Sequence, residues 1–185
     1  MFKSKTRQQF FKMNIAPPKN IAPSIPTPAI SEKQEPKSKW GPPTWLLLHT
    51  IAEKVKEQQF SQIREELINI IQLICGNLPC PICTDHSKKY LSGINFNTIQ
   101  TKQQLKDMLF HFHNTVNQRK DYPLYSYNQL NVYNVAVTNN IIHNFFYHFK
   151  NHSYNIRLIS ENLQRTRIVE NLKLWFQKNI IYFDQ

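Results

Sequence analysis

The chain has 185 residues, with 23 lysines and arginines against 12 acids, a formal net charge of +11, and only 3 glycines and 3 cysteines. So few glycines exclude a glycine-rich phosphate loop and with it a doubly wound nucleotide domain; any dinucleotide has to be held by side chains on helices. No apolar run is long enough to cross a bilayer, three cysteines do not make a secreted disulfide scaffold, and the positive charge lacks the dense basic run interleaved with aromatics that would point to nucleic acid.

In chain order, residues 1–38 read as a disordered basic leader, because Pro17, Pro18, Pro23, Pro26, Pro28 and Pro36 interrupt any helix. Its first stretch carries Lys3, Lys5, Arg7 and Lys12 without an acid, a weak likeness to a mitochondrial presequence beside the plainer reading of an unstructured tail. From Lys39 the pattern turns helical. Pro42 and Pro43 suit a helix start, and Trp45, Leu48, His49, Ala52 and Val55 share one face of a helix running to about Gln58. A second helix spans 61–76, with Ile63, Leu67, Ile70, Ile71 and Ile74 at helical spacing; a third spans about 80–91 and is broken by Gly93. A fourth covers roughly 101–119, facing the core with Leu105, Leu109, Phe112 and Val116. A turn through Asp121, Tyr122 and Pro123 leads to a helical stretch over 132–149 and a last helix over 159–179, followed by an ambiguous apolar tail at 180–183. The expectation is an all-α chain in three segments, 1–38, 39–127 and 128–185.

The chemistry centres on Cys80-Pro81-Ile82-Cys83. Two thiols three residues apart suit a reversible disulfide at a helix start, with Cys80 as N-cap and Pro81 in the first helical position, where unpaired N–H groups stabilise a thiolate. A zinc site built from Cys75, Cys80, Cys83 and His86 is the competing reading. Against it, Cys75 lies beside the apolar run 67–74, where a lone cysteine serves as a small buried hydrophobe. A thioredoxin-like fold would need a strand directly upstream, where the pattern is helical.

Two further islands accompany the dithiol. Trp40-Gly41-Pro42-Pro43-Thr44-Trp45-Leu46-Leu47-Leu48-His49-Thr50 puts Trp45 and His49 on one helical face, and Phe110-His111-Phe112-His113-Asn114-Thr115-Val116-Asn117 pairs His113 with Asn117, with His111 beside Asn114. Aromatic plates, imidazoles and carboxamides on helices are what stacks and hydrogen-bonds a large planar heterocycle.

In order and spacing these islands resemble the Erv/ALR family of FAD-linked sulfhydryl oxidases over roughly residues 39–127. The resemblance implies a four-helix bundle with a short fifth helix, noncovalently bound FAD and pairing into a homodimer, here with additional C-terminal helices. It implies that Cys80 is the exposed interchange thiol and Cys83 the flavin-proximal one, with Trp40, Gly41, Trp45, His49, His111, His113, Asn114, Val116 and Asn117 as cofactor contacts. Many members place a glycine-lysine pair after the H-N-x-V-N motif; here Tyr122 stands at that lysine's place, leaving Arg119 or Lys120 to supply the basic contact. No cysteine follows Cys83 or precedes Cys75, so the family's structural and shuttle disulfides are missing and a dithiol protein or small thiol-relay protein has to reach Cys80 directly.

Beyond the family pattern, Val135, Ile141, Ile142, Phe145, Phe146, Phe149, Leu158, Leu163, Leu172, Trp175 and Phe176 supply apolar faces for packing on the bundle or a partner. These extra helices, the missing shuttle and a lysine- and asparagine-rich composition of the kind AT-rich coding produces resemble family members encoded by large cytoplasmic DNA viruses. The implied activity is oxidation of protein dithiols, with dioxygen as final acceptor and hydrogen peroxide as product, in the host cytoplasm or virion; the leader leaves the mitochondrial intermembrane space as the alternative compartment.

Overall fold

The computed structural model describes residues 39–150 and 159–185, with side chains of the last helix described from residue 163 onward. The leader over residues 1–38, its presequence-like stretch and Leu158 lie outside the described residues. Six α-helices are found among them: α1 (Gly41–Lys54), α2 (Phe60–Cys75), α3 (Pro81–Ser92), α4 (Lys102–Arg119), α5 (Thr138–Lys150) and α6 (Ile159–Asn179). The fold is all-α; the one β-type pairing among the described residues is an isolated antiparallel bridge between Val55 and Phe183. No described helix is long and apolar enough to cross a membrane.

Local chemistry explains most boundaries. Pro42 and Pro43 occupy the first turn of α1, where their missing N–H groups cost no helical bond, and Thr44 Oγ1 donates to the Trp40 carbonyl at 2.8 Å. Helix α3 begins where Cys80, extended at φ −123° and ψ 111°, accepts a hydrogen bond on Sγ from the Cys83 N–H while Pro81 starts the helix. Helix α4 opens with a capping box, the Gln104 N–H donating to Thr101 Oγ1 at 3.2 Å and the Thr101 N–H to Gln104 Oε1 at 3.0 Å.

Two boundaries differ from the sequence expectation. Helix α1 stops at Lys54, short of Gln58, because the C-terminal tail takes over the backbone there: Lys56 N–H donates to the Tyr182 carbonyl at 2.9 Å and Asp184 N–H to the Lys54 carbonyl at 2.7 Å. The single stretch expected over 132–149 is divided into a 3-10 helix, Tyr127–Val135, and α5. Asn128, Asn131 and Asn134 together with Val132, Val135 and Val137 favour helix weakly, and Gln129 Oε1 accepts from Ser126 N–H at 2.6 Å to start the tighter turn. Val135 consequently sits in solvent, outside the apolar face assigned to it.

One hydrophobic core runs through all six helices. Helix α1 is its axis, with Leu47, Leu48, Ile51 and Ala52 fully enclosed, packed by α4 and, most extensively, by α5. Ile142, Phe145, Phe146 and Phe149 form the buried face of α5, and α6 adds Ile168, Val169, Leu172 and Phe176, while Leu163 stays exposed. Trp175 Nε1 donates to Glu66 Oε2 at 2.7 Å and fastens α6 to α2. The outcome is a helical scaffold that holds the N-terminal end of α1, the start of α3 and the C-terminal half of α4 around one hollow.

Candidate active site

Cys80 and Cys83 are joined as a disulfide, with Cα atoms 5.2 Å apart, across the first turn of α3. Cys80 and Cys83 are both half-buried, while Pro81 and Ile82 between them are exposed, Ile82 by 69%, so the turn that carries the bond is at the surface. The helix N-terminus lends partial positive charge to whichever sulfur is released as a thiolate.

Behind the disulfide, two adjoining hollows share Gly41, Trp45, Val116 and Lys120 as walls. The inner one is a narrow slot lined by Cys83, Cys75, Trp40, Leu48 and Phe112, with Arg119 at its edge. The outer one, about 240 Å³, is lined by Pro42, His113, Asn117 and Tyr122. Cys83 faces this space; Cys80 does not line it. Burial raises the Cys75 thiol to about 12, which leaves it protonated and unreactive despite its position on the slot wall.

An aromatic stack forms one side. The Trp45 and His113 rings lie 4.1 Å apart and within 9° of parallel, and His49 Nε2 meets His113 Nδ1 at 3.0 Å. Burial lowers His49 to about 3, the charge of His113 adding to it, and burial lowers His113 to about 4. Both imidazoles are therefore neutral near pH 7, one ring donating and the other accepting. Tyr133 and Tyr125 complete the stack against His49, at 5.0 Å and 6.0 Å between ring centres. These tyrosines were not singled out by sequence. Asn114 brings Tyr125 in: its Nδ2 donates to the Tyr125 carbonyl at 2.9 Å, and its Oδ1 accepts from the Tyr125 N–H at 2.7 Å.

The residues named from sequence therefore divide into groups. Cys83, Trp40, Gly41, Trp45, His113, Val116, Asn117, Arg119 and Lys120 surround the joined hollows, whereas His49 sits behind His113 as its buried hydrogen-bond partner. Asn114 spends its amide on the Tyr125 backbone. His111 is exposed and lines a separate depression with Tyr90 and Asp107, because two residues along a helix turn a side chain to the far side from His113. The four zinc candidates are not assembled: Cys80 and Cys83 are bonded to each other, Cys75 is buried and His86 is exposed. Among the described residues no group of three or more His, Cys, Asp or Glu is placed to hold a metal.

The model of the Erv1/Alr family matches residues 42–135, just over half the chain. The chain belongs to the Erv1/Alr family. Among its relatives, the FAD-linked sulfhydryl oxidase of African swine fever virus (isolate Tick/Malawi/Lil 20-1/1983) is 30% identical over 103 residues, 55% of this chain and 86% of the relative. A protein of Invertebrate iridescent virus 3 that is also named a FAD-linked sulfhydryl oxidase is 33% identical over 85 residues, 45% of this chain and 57% of the relative. The rice (Oryza sativa subsp. japonica) FAD-linked sulfhydryl oxidase is 30% identical over 97 residues, 51% of this chain and 48% of the relative. The chain thus spans about half the length of the rice and iridescent-virus proteins and most of the swine fever virus one. No solved structure matches.

The turn after α4 closes the outer hollow. Asp121 adopts φ 52°, the left-handed region that a glycine would occupy without strain. That turn brings Tyr122 back over the outer hollow, where the Lys120 Nζ lies 5.9 Å from its ring centre. An aromatic face and a neighbouring ammonium thus stand at the rim of the outer hollow.

Proposed function

We propose that this chain is a FAD-dependent thiol oxidase that forms disulfides in protein substrates through the Cys80–Cys83 pair. The observation that carries this reading is that the disulfide is two-sided: Cys83 lines the aromatic cavity while Ile82 and Pro81 beside Cys80 face solvent. The donor set fits FAD. Trp45 and His113 offer parallel planes for a heterocycle, the neutral imidazole pair and Asn117 offer hydrogen-bonding groups without burying a charge, and Arg119 and Lys120 offer cations for a diphosphate. When bound, FAD supplies a two-electron acceptor that dioxygen reoxidises with release of hydrogen peroxide.

The chain's own residues perform the thiol chemistry. A substrate thiolate attacks Cys80 Sγ, the Cys80–Cys83 bond breaks, and Cys83 leaves as a thiolate within the first turn of α3, at the positive end of the helix dipole. The second substrate thiol, giving up its proton, attacks the substrate sulfur of the mixed disulfide and releases Cys80. The substrate leaves oxidised, and the electron pair stays on Cys80 and Cys83 until it passes from Cys83 across the slot. Oxidation of two thiols to one disulfide is balanced by reduction of one dioxygen to hydrogen peroxide.

The substrate class is a dithiol protein or a small thiol-relay protein, which the exposed turn at Pro81 and Ile82 admits to Cys80 directly. The viral relatives support a place in a virus-encoded disulfide pathway acting in host cytoplasm or virion, and the family resemblance supports a homodimer. The test is an absorption spectrum of the purified protein with its small-molecule content: flavin bands and one FAD per chain are expected, and a colourless protein that does not take up added FAD contradicts the reading.

A further inference from the structure

The two joined hollows are chemically unequal. The inner slot carries Cys83 and Cys75 on its walls, whereas the outer hollow, of about 240 Å³, is lined by no sulfur. A ring that takes electrons from Cys83 belongs against the inner slot, which leaves the outer hollow for the part of the same ligand that takes no part in electron transfer. In FAD that part is the adenosine. Lys120 walls both spaces and offers a cation at their junction to the diphosphate that links the two halves.

Tyr122 is presented to that outer hollow by a turn fixed at several points. Its N–H donates to the Asn117 carbonyl at 2.9 Å, Asn117 Nδ2 donates to the Pro123 carbonyl at 3.1 Å, and Asp121 takes φ 52°. Pro123 further confines Tyr122 to extended backbone. Asn117 therefore holds the turn as well as lining the hollow. The Tyr122 side chain is 41% exposed, so a large ring stays out of the core and keeps surface on the cavity. The Lys120 Nζ, 5.9 Å from the ring centre, is within range of an ammonium attracted to an aromatic face.

We propose that Tyr122 is a cofactor-specificity residue: its ring is an aromatic plate that stacks the adenine of FAD in the outer hollow, and it makes the site select FAD over a flavin without the adenylate. The proposal rests on the FAD-dependent reading above. A purine offers a broad π-face to such a ring, and the contact needs the ring rather than the phenol hydroxyl. The turn after α4 thereby acquires a role in choosing the cofactor as well as in closing the hollow.

The test titrates the flavin-depleted full chain with FAD and with FMN, following the change in flavin fluorescence, for the wild type, Tyr122→Phe and Tyr122→Ala. FMN carries the same isoalloxazine without the adenylate, so it reports the rest of the site and the fold in each variant. The wild type is expected to bind FAD at least about tenfold more tightly than FMN. Tyr122→Phe keeps the ring and is expected to hold both affinities within about twofold. Tyr122→Ala is expected to weaken FAD about tenfold, in the range for losing one base–aromatic stack, and to leave FMN unchanged. A Tyr122→Ala protein that binds FAD as tightly as the wild type overturns the assignment, and so does a loss shared equally by FMN. Dithiothreitol oxidation by the wild type separates the two claims: a yellow, active wild type with an unresponsive Tyr122→Ala fails the assignment alone, whereas a wild type that binds no flavin and oxidises no dithiothreitol fails the oxidase reading and the assignment with it.

Discussion

The front of the molecule, where α1 and α3 begin and α4 ends, and its back, made by α5 and α6, use aromatic residues for opposite purposes. At the front, Trp45, His113 and Tyr122 leave ring faces on an open hollow. At the back, Phe145 and Phe149 are wholly enclosed, their ring centres 4.8 Å apart. Both regions rest on α1, whose Leu47, Ile51 and Ala52 are fully buried between them. Site and support are thus separated along one helix, so damage to each should be measurable apart from the other.

The largest expected separation is chemical. Cys80→Ser or Cys83→Ser should each reduce dithiol turnover to background, while Cys75→Ser should retain it, because the Cys75 thiol stays protonated in its apolar site. Oxygen consumption with dithiothreitol measures this, and a Cys75→Ser protein that keeps its flavin but does not oxidise dithiols would break the two-thiol scheme. At the back, Phe145→Ala should destabilise the fold by about 3–5 kcal/mol, the range for an enclosed phenylalanine. Urea midpoints give the value; a loss below about 1 kcal/mol would mean that α5 is not the support described here.

The histidine pair couples α1 to α4 behind the outer hollow and titrates. In the unfolded chain both imidazoles bind protons near pH 6.5, whereas the folded state holds them down to about 3 and about 4. Between those limits the unfolded state binds more protons, so stability should fall as pH drops from about 6.5 toward 4 and should gain nothing further from this pair above pH 7. His49→Gln should flatten that dependence in urea titrations at several pH values; an unchanged slope would assign it to other groups. The smallest effect is expected at the turn after α4: Asp121→Gly removes a side chain from the left-handed region and should stabilise by no more than about 1 kcal/mol, read as a small rise in melting temperature.

How much of this was legible in the sequence follows from how local each cause is. The start of α3 was readable from Cys80 and Pro81, and α4 from Thr101 through Arg119, because caps and prolines act within a few residues. The end of α1 was not, since its cause lies more than a hundred residues away in the pairing of Val55 and Lys56 with Phe183 and Tyr182. The same distinction holds in the site. Helical spacing placed Trp45 and His49 on one face, and chain order brought them to His113. Tyr125 and Tyr133 carry no motif of their own and reach the stack only because Asn114 grips the Tyr125 backbone after the chain has turned at Asp121.

In the proposed scheme electrons enter at Cys80 and leave through Cys83, and anaerobic reduction of the flavin-loaded protein by dithiothreitol tests that order most directly. Followed by the loss of visible flavin absorbance, the wild type should bleach completely. Cys83→Ser, with flavin still bound, should instead stay yellow, its Cys80 remaining a free thiol. Bleaching of Cys83→Ser at the wild-type rate would show that thiols reduce the flavin without passing through the Cys80–Cys83 pair, and would contradict the central claim.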